Sequence, residues 1–233
     1  PAETLLPHGY ALVGVGTADP AEWQITPRGV QALRDMRAEA VLLMCPGCTQ
    51  TVFDRVRAAN PDMFIAVRLT HGMGNEAITP ERFANDVREH LRIAYNNGVR
   101  YVQVANEPNA PVEGFGKSWS NGWEFGKWYD EVVALLAPEF PEALWGLPCP
   151  SPDASFQGAQ GFHVFLGGAL EYLKGRGNVD WFGLHVYWAS PAGRAGASEA
   201  VTQFAKDHPG SFILVTEYSR QVGTDKANKG REY

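Results

Sequence analysis

Residues 79–105, TPERFANDVREHLRIAYNNGVRYVQVA, combine the two signals that decide the fold class. Thr79-Pro80 pairs an N-cap hydroxyl with proline at the first helical position, where the missing N–H costs nothing. Apolar residues then recur every fourth position, at Phe83, Val87 and Leu91. Asn97-Gly98 supplies a left-handed stop, and the apolar run Arg100–Ala105 follows it. The stretch therefore predicts an amphipathic helix followed by a buried strand.

The same alternation of helix and strand recurs along the chain. Seven apolar runs predict strands at Tyr10–Gly16, Ala40–Cys45, Met63–Leu69, Arg100–Ala105, Ala143–Leu147, Val179–Trp188 and Ser211–Thr216. Further helices are predicted from Thr26-Pro27 onward and at Gln50–Ala59, Gly122–Leu136, Gln160–Lys174 and Ser198–Lys206. Repeated βα units with strands covered on both faces are typical of a parallel sheet. We therefore expect one α/β domain over residues 1–233, of the (β/α)8 TIM-barrel type.

The eighth strand of such a barrel has no counterpart among these runs. The seventh run is followed by the polar stretch Gly223–Tyr233, and barrels of this type typically need about 250 residues. We therefore expect an incomplete barrel that lacks its last βα unit. Its first and seventh strands would carry unpaired edges, which favours self-association through those edges.

Composition narrows the classes of partner. The 26 acidic and 20 basic residues give a net charge of −6, and the basic residues do not cluster as binding to nucleic-acid phosphates requires. No apolar run approaches the roughly 20 residues of a membrane-spanning helix. The start Pro1-Ala2-Glu3 lacks the regions of a signal peptide. The compartment stays open, with secretion the preferred interpretation.

The three cysteines form a sparse, odd-numbered set that argues against a disulfide-built scaffold. Cys45-Pro46-Gly47-Cys48 has the spacing of a redox motif or of half a metal site, but no second pair follows to complete four zinc ligands. The alternative is a turn after a strand, with a local disulfide.

Two strands are predicted to end in a glutamate. Tyr101–Asn109 runs from an apolar strand into an Asn-Glu-Pro turn at Glu107, and Phe212–Tyr218 ends a buried strand at Glu217. The carboxyl ends of barrel strands form the active-site face. Retaining glycosidases need two carboxyl groups about 5–5.5 Å apart, one to protonate the leaving group and one to attack the anomeric carbon. Their positions at two strand ends make Glu107 and Glu217 a candidate pair, and a narrow barrel could supply the separation.

Asn106-Glu107-Pro108 and Thr216-Glu217 resemble the corresponding motifs of the large clan of retaining (β/α)8 glycoside hydrolases (clan A type) that includes many cellulases, mannanases and β-xylosidases. The resemblance spans the first to the seventh strand. It implies that Glu107 is the general acid/base, that Glu217 is the nucleophile and that Asn106 bonds the sugar 2-hydroxyl. An oligo- or polysaccharide substrate is implied, and no cofactor is expected.

Further substrate-binding residues are expected around this pair. His185-Val186-Tyr187-Trp188 is similar to the clan's His-x-Tyr segment, which places Tyr187 beside the nucleophile. Arg68 ends the third predicted strand, where its charge could keep Glu217 ionised. Trp119 and Trp188 are the candidates for stacking on sugar rings. By contrast, Trp123 and Trp128 are expected to lie on the fourth helix and pack against the barrel.

Three other interpretations stay open at this stage. Each glutamate could be a solvated strand-end residue or the partner in an ion pair. Glu107, His185 and Glu217 could instead be ligands of a divalent metal in a barrel of the sugar-isomerase sort. The chain could also be a carbohydrate-binding relic that no longer catalyses. Nucleotide binding at Gly14-Val15-Gly16 fails, because Asp19-Pro20 stands where a helix and a third glycine should follow.

Overall fold

The computed structural model describes residues 14–17, 20–71, 76–152, 160–188 and 191–220, with the side chains of residues 188, 191–195, 197 and 218–220 outside that description. The strands are β1 (Gly14–Gly16), β2 (Ala40–Cys45), β3 (Phe64–Leu69), β4 (Tyr101–Val104), β5 (Leu144–Pro148), β6 (Trp181–Trp188) and β7 (Phe212–Arg220). The helices are α1 (Ala21–Gln24), α2 (Pro27–Asp35), α3 (Gln50–Ala59), α4 (Pro80–Asn96), α5 (Gly122–Leu136), α6 (Phe162–Leu173) and α7 (Pro191–Asp207). A short 3₁₀ turn (Pro111–Glu113) lies between β4 and α5.

The strands form one parallel sheet in the order β1 to β7, with helices between them. The sheet curls into a nearly closed barrel. A methyl group built on Gly16 of β1 would lie 3.7 Å from the carbonyl oxygen of Thr216 on β7, although these strands share no described ladder. The expected TIM-barrel-like α/β fold is confirmed, and an eighth unit is not seen in the described residues.

Local signals place the helices where the sequence predicts them. The side chains of Thr26 and Thr79 accept hydrogen bonds from the backbone N–H groups of Gly29 and Arg82, each at 3.3 Å, and so cap α2 and α4. Gly98 ends α4 in a left-handed conformation, with φ 84°. The helix α7 begins seven residues before the predicted Ser198, and β7 extends four residues past the predicted Thr216. Residues 10–13 of the first predicted strand lie outside the described residues.

The two faces of the sheet pack against two different hydrophobic clusters. The outer face packs against the helices in the main core, which includes Val102, Val104 and Leu69. The lower part of the barrel interior is filled by a second cluster of aromatic and aliphatic residues: Leu42, Phe64, Ala66, Tyr101, Leu144, Trp181, Phe212 and Leu214. Gly146 lets the Trp181 ring approach, since a Cβ there would lie 2.3 Å from the indole. Among the described residues the interior below the carboxyl ends of the strands is therefore packed with these side chains, and the charged groups lie at the upper end.

Cys45, the last residue of β2, forms a disulfide with Cys48, so the local-disulfide alternative is confirmed. Cys149 is a free and buried thiol, and burial raises its pKa. No helix in the described part of the chain has both the length and the apolar character needed to cross a membrane.

Candidate active site

Polar side chains from four strand ends meet at the upper end of the barrel. Arg68 comes from β3, Glu107 follows β4, His185 and Tyr187 lie on β6, and Glu217 lies on β7. Arg68 and His185 are buried, with 4% and 0% of their side chains exposed, while Glu107 and Glu217 retain 15% and 33%. The two carboxylates therefore reach the surface of the cluster, and the cationic and imidazole groups lie beneath them.

A β-bulge orients Glu217. Leu184 of β6 pairs with Val215, but the next residue, His185, pairs with Glu217, so Thr216 is the extra residue on β7. In a regular strand side chains alternate between faces, and Glu217 would then point away from the face that carries Leu214. The extra residue shifts this alternation by one. Glu217 consequently points into the barrel beside His185.

The backbone around Glu107 is strained. Ala105 and Glu107 have φ values of 70° and 26°, in a region that non-glycine residues rarely adopt. Hydrogen bonds hold this conformation: the Ala105 N–H donates to the Leu69 carbonyl at 3.0 Å, and the Ala110 N–H donates to the Glu107 carbonyl at 2.8 Å. The side chain of Gln103 also donates to the Ala105 carbonyl at 3.1 Å. Strain of this kind clusters at functional sites, where the surrounding structure enforces it.

A continuous hydrogen-bond network joins the two carboxylates. Arg68 donates from Nη1 to Oε1 of Glu217 at 2.5 Å and lies 3.0 Å from His185 Nε2 through Nη2. A guanidinium can only donate, so Nε2 accepts and the imidazole proton is on Nδ1. Nδ1 then donates to Oε1 of Glu107 at 2.9 Å. The tautomer of His185 is thus fixed by Arg68.

Tyr187 contacts both carboxylates. Its hydroxyl donates to Oε2 of Glu217 and lies 3.3 Å from Oε1 of Glu107. Burial, followed by the hydrogen bond to Glu217 and the two neighbouring negative charges, raises the pKa of Tyr187 well above its ordinary value. The hydroxyl therefore keeps its proton and remains a donor across the usual pH range.

The two carboxylates have unequal surroundings. Burial on its own would raise the pKa of Glu217, but the electrostatic influence of His185, the positive charge of Arg68 and hydrogen bonds from Tyr187 and Arg68 hold it below the ordinary value. Glu107 receives its hydrogen bond from His185 and has no bond from the guanidinium among the described contacts. Glu217 is therefore the carboxylate that the site keeps ionised.

Glu107, His185 and Glu217 each offer an atom within 4.8 Å of the others, a spacing that could hold a metal ion. The guanidinium of Arg68, however, already donates to Glu217 and reaches Nε2 of His185. A divalent cation bound by Oε1 of Glu217 and Nε2 of His185 would have to displace the buried guanidinium of Arg68. These side chains are therefore better suited to holding the guanidinium of Arg68 than to holding a metal ion.

Not every expected residue joins this cluster. Trp119 is 2% exposed, its indole N–H donates to the Pro108 carbonyl at 2.6 Å, and its ring packs against Phe125 and Trp128. This corrects the expectation that Trp119 stacks on a sugar, because the ring is enclosed in the core. Trp128 is buried, as expected, whereas Trp123 is 47% exposed. The side chain of Trp188 lies outside the described residues.

Sequence reasoning missed Glu113, at the end of the 3₁₀ turn between β4 and α5. Its Oε1 accepts a hydrogen bond from Nδ2 of Asn106 at 3.0 Å. It also missed Asn109, which is fully buried, donates to the carbonyls of Ser151 and Gln160 and accepts from the Ser151 N–H. The only sequence signal was the polar character of the loop after β4. Asn109 thus ties this loop to the loop after β5.

No model of a known protein family matches the chain, and no characterised protein matches it in sequence. Several solved structures are similar. A GH128 (subgroup VI) exo-β-1,3-glucanase from Aureobasidium namibiae has a TM-score of 0.54 at 14% identity, over 91% of this chain and 72% of that one. A family 51 α-L-arabinofuranosidase from Bifidobacterium longum has a TM-score of 0.53 at 12% identity, over 92% and 54%. An endo-β1,6-glucanase has a TM-score of 0.56 at 11% identity, over 88% and 57%.

What these chains share with this one is the barrel fold. All three neighbours are glycoside hydrolases by their names, but identities of 11–14% establish the fold alone. The chain spans 54% and 57% of two of these neighbours, so the activity of a whole neighbour does not transfer with the fold.

Proposed function

We propose that the protein is a retaining glycoside hydrolase of the clan A type that cleaves β-linked glycosidic bonds. The observation that carries the proposal is the pair Glu107 and Glu217, whose oxygen atoms approach within 4.8 Å at the upper end of the barrel. So close an approach supports the short separation of about 5–5.5 Å between carboxyl groups that a retaining mechanism uses, rather than the separation of about 6.5–9.5 Å that leaves room for water in inverting enzymes.

In this proposal Glu217 is the nucleophile. Arg68 and Tyr187 each donate a hydrogen bond to it, one to each carboxylate oxygen, which supports an ionised and oriented attacking group. One oxygen attacks the anomeric carbon and forms a glycosyl ester. The positive charge of Arg68 is retained beside the ester and stabilises the carboxylate when it leaves in the second step.

Glu107 is the general acid/base. It enters the first step protonated and gives its proton to the departing glycosidic oxygen. Formation of the ester removes the negative charge of Glu217, which favours the ionised form of Glu107. Glu107 then takes a proton from the water that attacks the ester and releases the sugar. His185 orients Glu107 throughout, because its Nδ1 proton is directed at Oε1.

The experiment that tests the proposal is turnover of aryl β-glycosides and of β-linked glucans, with the first-formed product followed by ¹H NMR. A retaining enzyme releases the β-anomer first, and the α-anomer appears only as the sugar mutarotates. An α-anomer first would contradict the retaining mechanism. Binding of glucans without any hydrolysis would instead favour the carbohydrate-binding relic.

A chelator arm tests the metal-dependent alternative. Turnover should be unchanged after treatment with EDTA, because Arg68 supplies the positive charge in the site. Activity that is lost with EDTA and restored by Mn²⁺ or Mg²⁺ would favour the sugar-isomerase-like interpretation.

A further inference from the structure

Glu113 is a third carboxylate beside the candidate pair and has no part in the proposed reaction. It ends the turn Pro111–Glu113, six positions after Glu107, and its side chain accepts a hydrogen bond from Nδ2 of Asn106 at 3.0 Å. Asn106 directly precedes Glu107, whose φ is 26°. The carboxylate of Glu113 therefore contacts the residue that directly precedes the proposed acid/base.

The charges that face Glu113 are those of the site itself. Burial raises the pKa of Glu113, the hydrogen bond from Asn106 lowers it, and the negative charge of Glu107 raises it again. Arg68 and Glu217 contribute smaller, opposed effects, and the net direction is upward. Glu113 therefore loses its proton at a higher pH than an exposed glutamate does.

The two polar atoms of the Asn106 amide, Oδ1 and Nδ2, differ in their hydrogen-bond partners. Its Oδ1 is enclosed and has no hydrogen-bond partner among the described residues, although the residue as a whole is partly exposed. Its Nδ2 carries two hydrogens, of which Glu113 takes one. The second hydrogen on Nδ2 is thus the group that the amide can offer to a bound sugar.

An ionised carboxylate can only accept hydrogen bonds, so it requires Nδ2 to face it. A protonated carboxyl group donates as well and can equally bond Oδ1, which turns the amide over and encloses Nδ2. The ionised form of Glu113 therefore holds Nδ2 toward itself, whereas the protonated form does not select between the two ends of the amide.

We propose that Glu113 is a positioning residue whose ionised carboxylate fixes the amide of Asn106 so that Nδ2 donates to a hydroxyl of the sugar beside the acid/base. The inference rests on the proposed function, because it adds a positioning residue to the sugar contact of Asn106 that the resemblance implies. It makes recognition of that hydroxyl depend on the ionisation of Glu113.

The first test does not require activity. The side-chain amide of Asn106, assigned in ¹⁵N-labelled protein by its loss in Asn106→Asp, should titrate with a midpoint above that of an ordinary glutamate. The titration should vanish in Glu113→Gln and persist in Glu107→Gln, the matched control. A titration that survives in Glu113→Gln, or an Asn106 amide that does not respond to pH, would overturn the inference.

The second test compares an aryl β-glycoside with its 2-deoxy analogue. Loss of one substrate hydrogen bond should lower kcat/KM of Glu113→Ala about three- to tenfold on the hydroxylated substrate. The 2-deoxy substrate should lose less than about twofold, since it lacks the contact. Glu113→Gln, which keeps an acceptor, should recover part of the loss. Equal losses on both substrates would assign Glu113 a merely structural role.

The two failures are distinguishable. A wild-type protein that turns over no glycoside contradicts the proposed function, while the amide titration still decides whether Glu113 controls Asn106. Normal turnover with no effect of Glu113→Ala contradicts the inference alone.

Discussion

His185 on β6 lies directly opposite Glu217 on β7, although the preceding pair, Leu184 and Val215, would place Thr216 there in a regular ladder. This one-residue shift brings Nε2 of His185 within 3.4 Å of Oε1 of Glu217. It also puts both side chains within reach of Arg68. The meeting of the candidate catalytic groups therefore depends on the bulge as much as on the identity of the residues.

The role of Arg68 predicts a change in pH dependence. Glu217 has a lowered pKa, so its ionised form persists to a lower pH than that of an ordinary glutamate and is lost as the pH falls through the lowered pKa. Arg68→Met removes a lowering charge and a hydrogen bond, and the acidic limb of kcat/KM should move to higher pH. Arg88→Met, which alters an exposed ion pair with Glu139, should leave the limb in place. An unchanged limb in Arg68→Met would show that Glu217 does not set it.

The role of Glu107 predicts a dependence on the leaving group. Glu107→Gln cannot donate the proton, so kcat/KM for glycosides with poorly acidic leaving groups should fall by about 10²–10⁴-fold. Glycosides of acidic phenols need little protonation and should lose much less. The measurement is a series of aryl glycosides graded by the pKa of the phenol. A uniform loss across the series would argue that Glu107 is not the acid.

The burial of Trp119 predicts an effect on stability. Trp119→Ala empties a core position and should lower the free energy of unfolding by about 3–5 kcal/mol. Trp123→Ala removes a ring of the same size that is 47% exposed and contacts Tyr172, and should cost about 1 kcal/mol or less. Urea unfolding of the two variants checks this. Equal stabilities with weakened glucan binding in Trp119→Ala would restore the stacking role.

The strands and helices were largely predictable because each carries its own local signal. The α3 and α5 bounds match the predicted ranges, since apolar periodicity marks them clearly. The start of α7 was missed because Pro191–Ala197 is rich in glycine and alanine and has no apolar stripe. The end of β7 was missed because Glu217–Arg220 is polar and reads as a loop.

The site was predictable only in part. Strand-end positions and motifs pointed to Glu107 and Glu217, but the bulge at Thr216 depends on register with β6, which no single segment encodes. Glu113 sits in a loop without a motif, and its contact with Asn106 arises from the path of the chain after β4. Trp119 is enclosed because the loop between β4 and α5 folds back on itself, as the β-bridge between Phe115 and Trp119 shows. Self-association through the edges of β1 and β7 stays a prediction.

The most direct test of the central claim uses Glu217→Ala with an aryl β-glycoside and added azide. We expect a loss of turnover on the order of 10⁴-fold or more, and rescue by azide with formation of an α-glycosyl azide, because the small anion takes the place of the missing carboxylate. Glu113→Ala is the matched control and should give no azide product. Near wild-type turnover in Glu217→Ala, or a β-glycosyl azide as the product, would contradict the assignment of Glu217 as the nucleophile of a retaining enzyme.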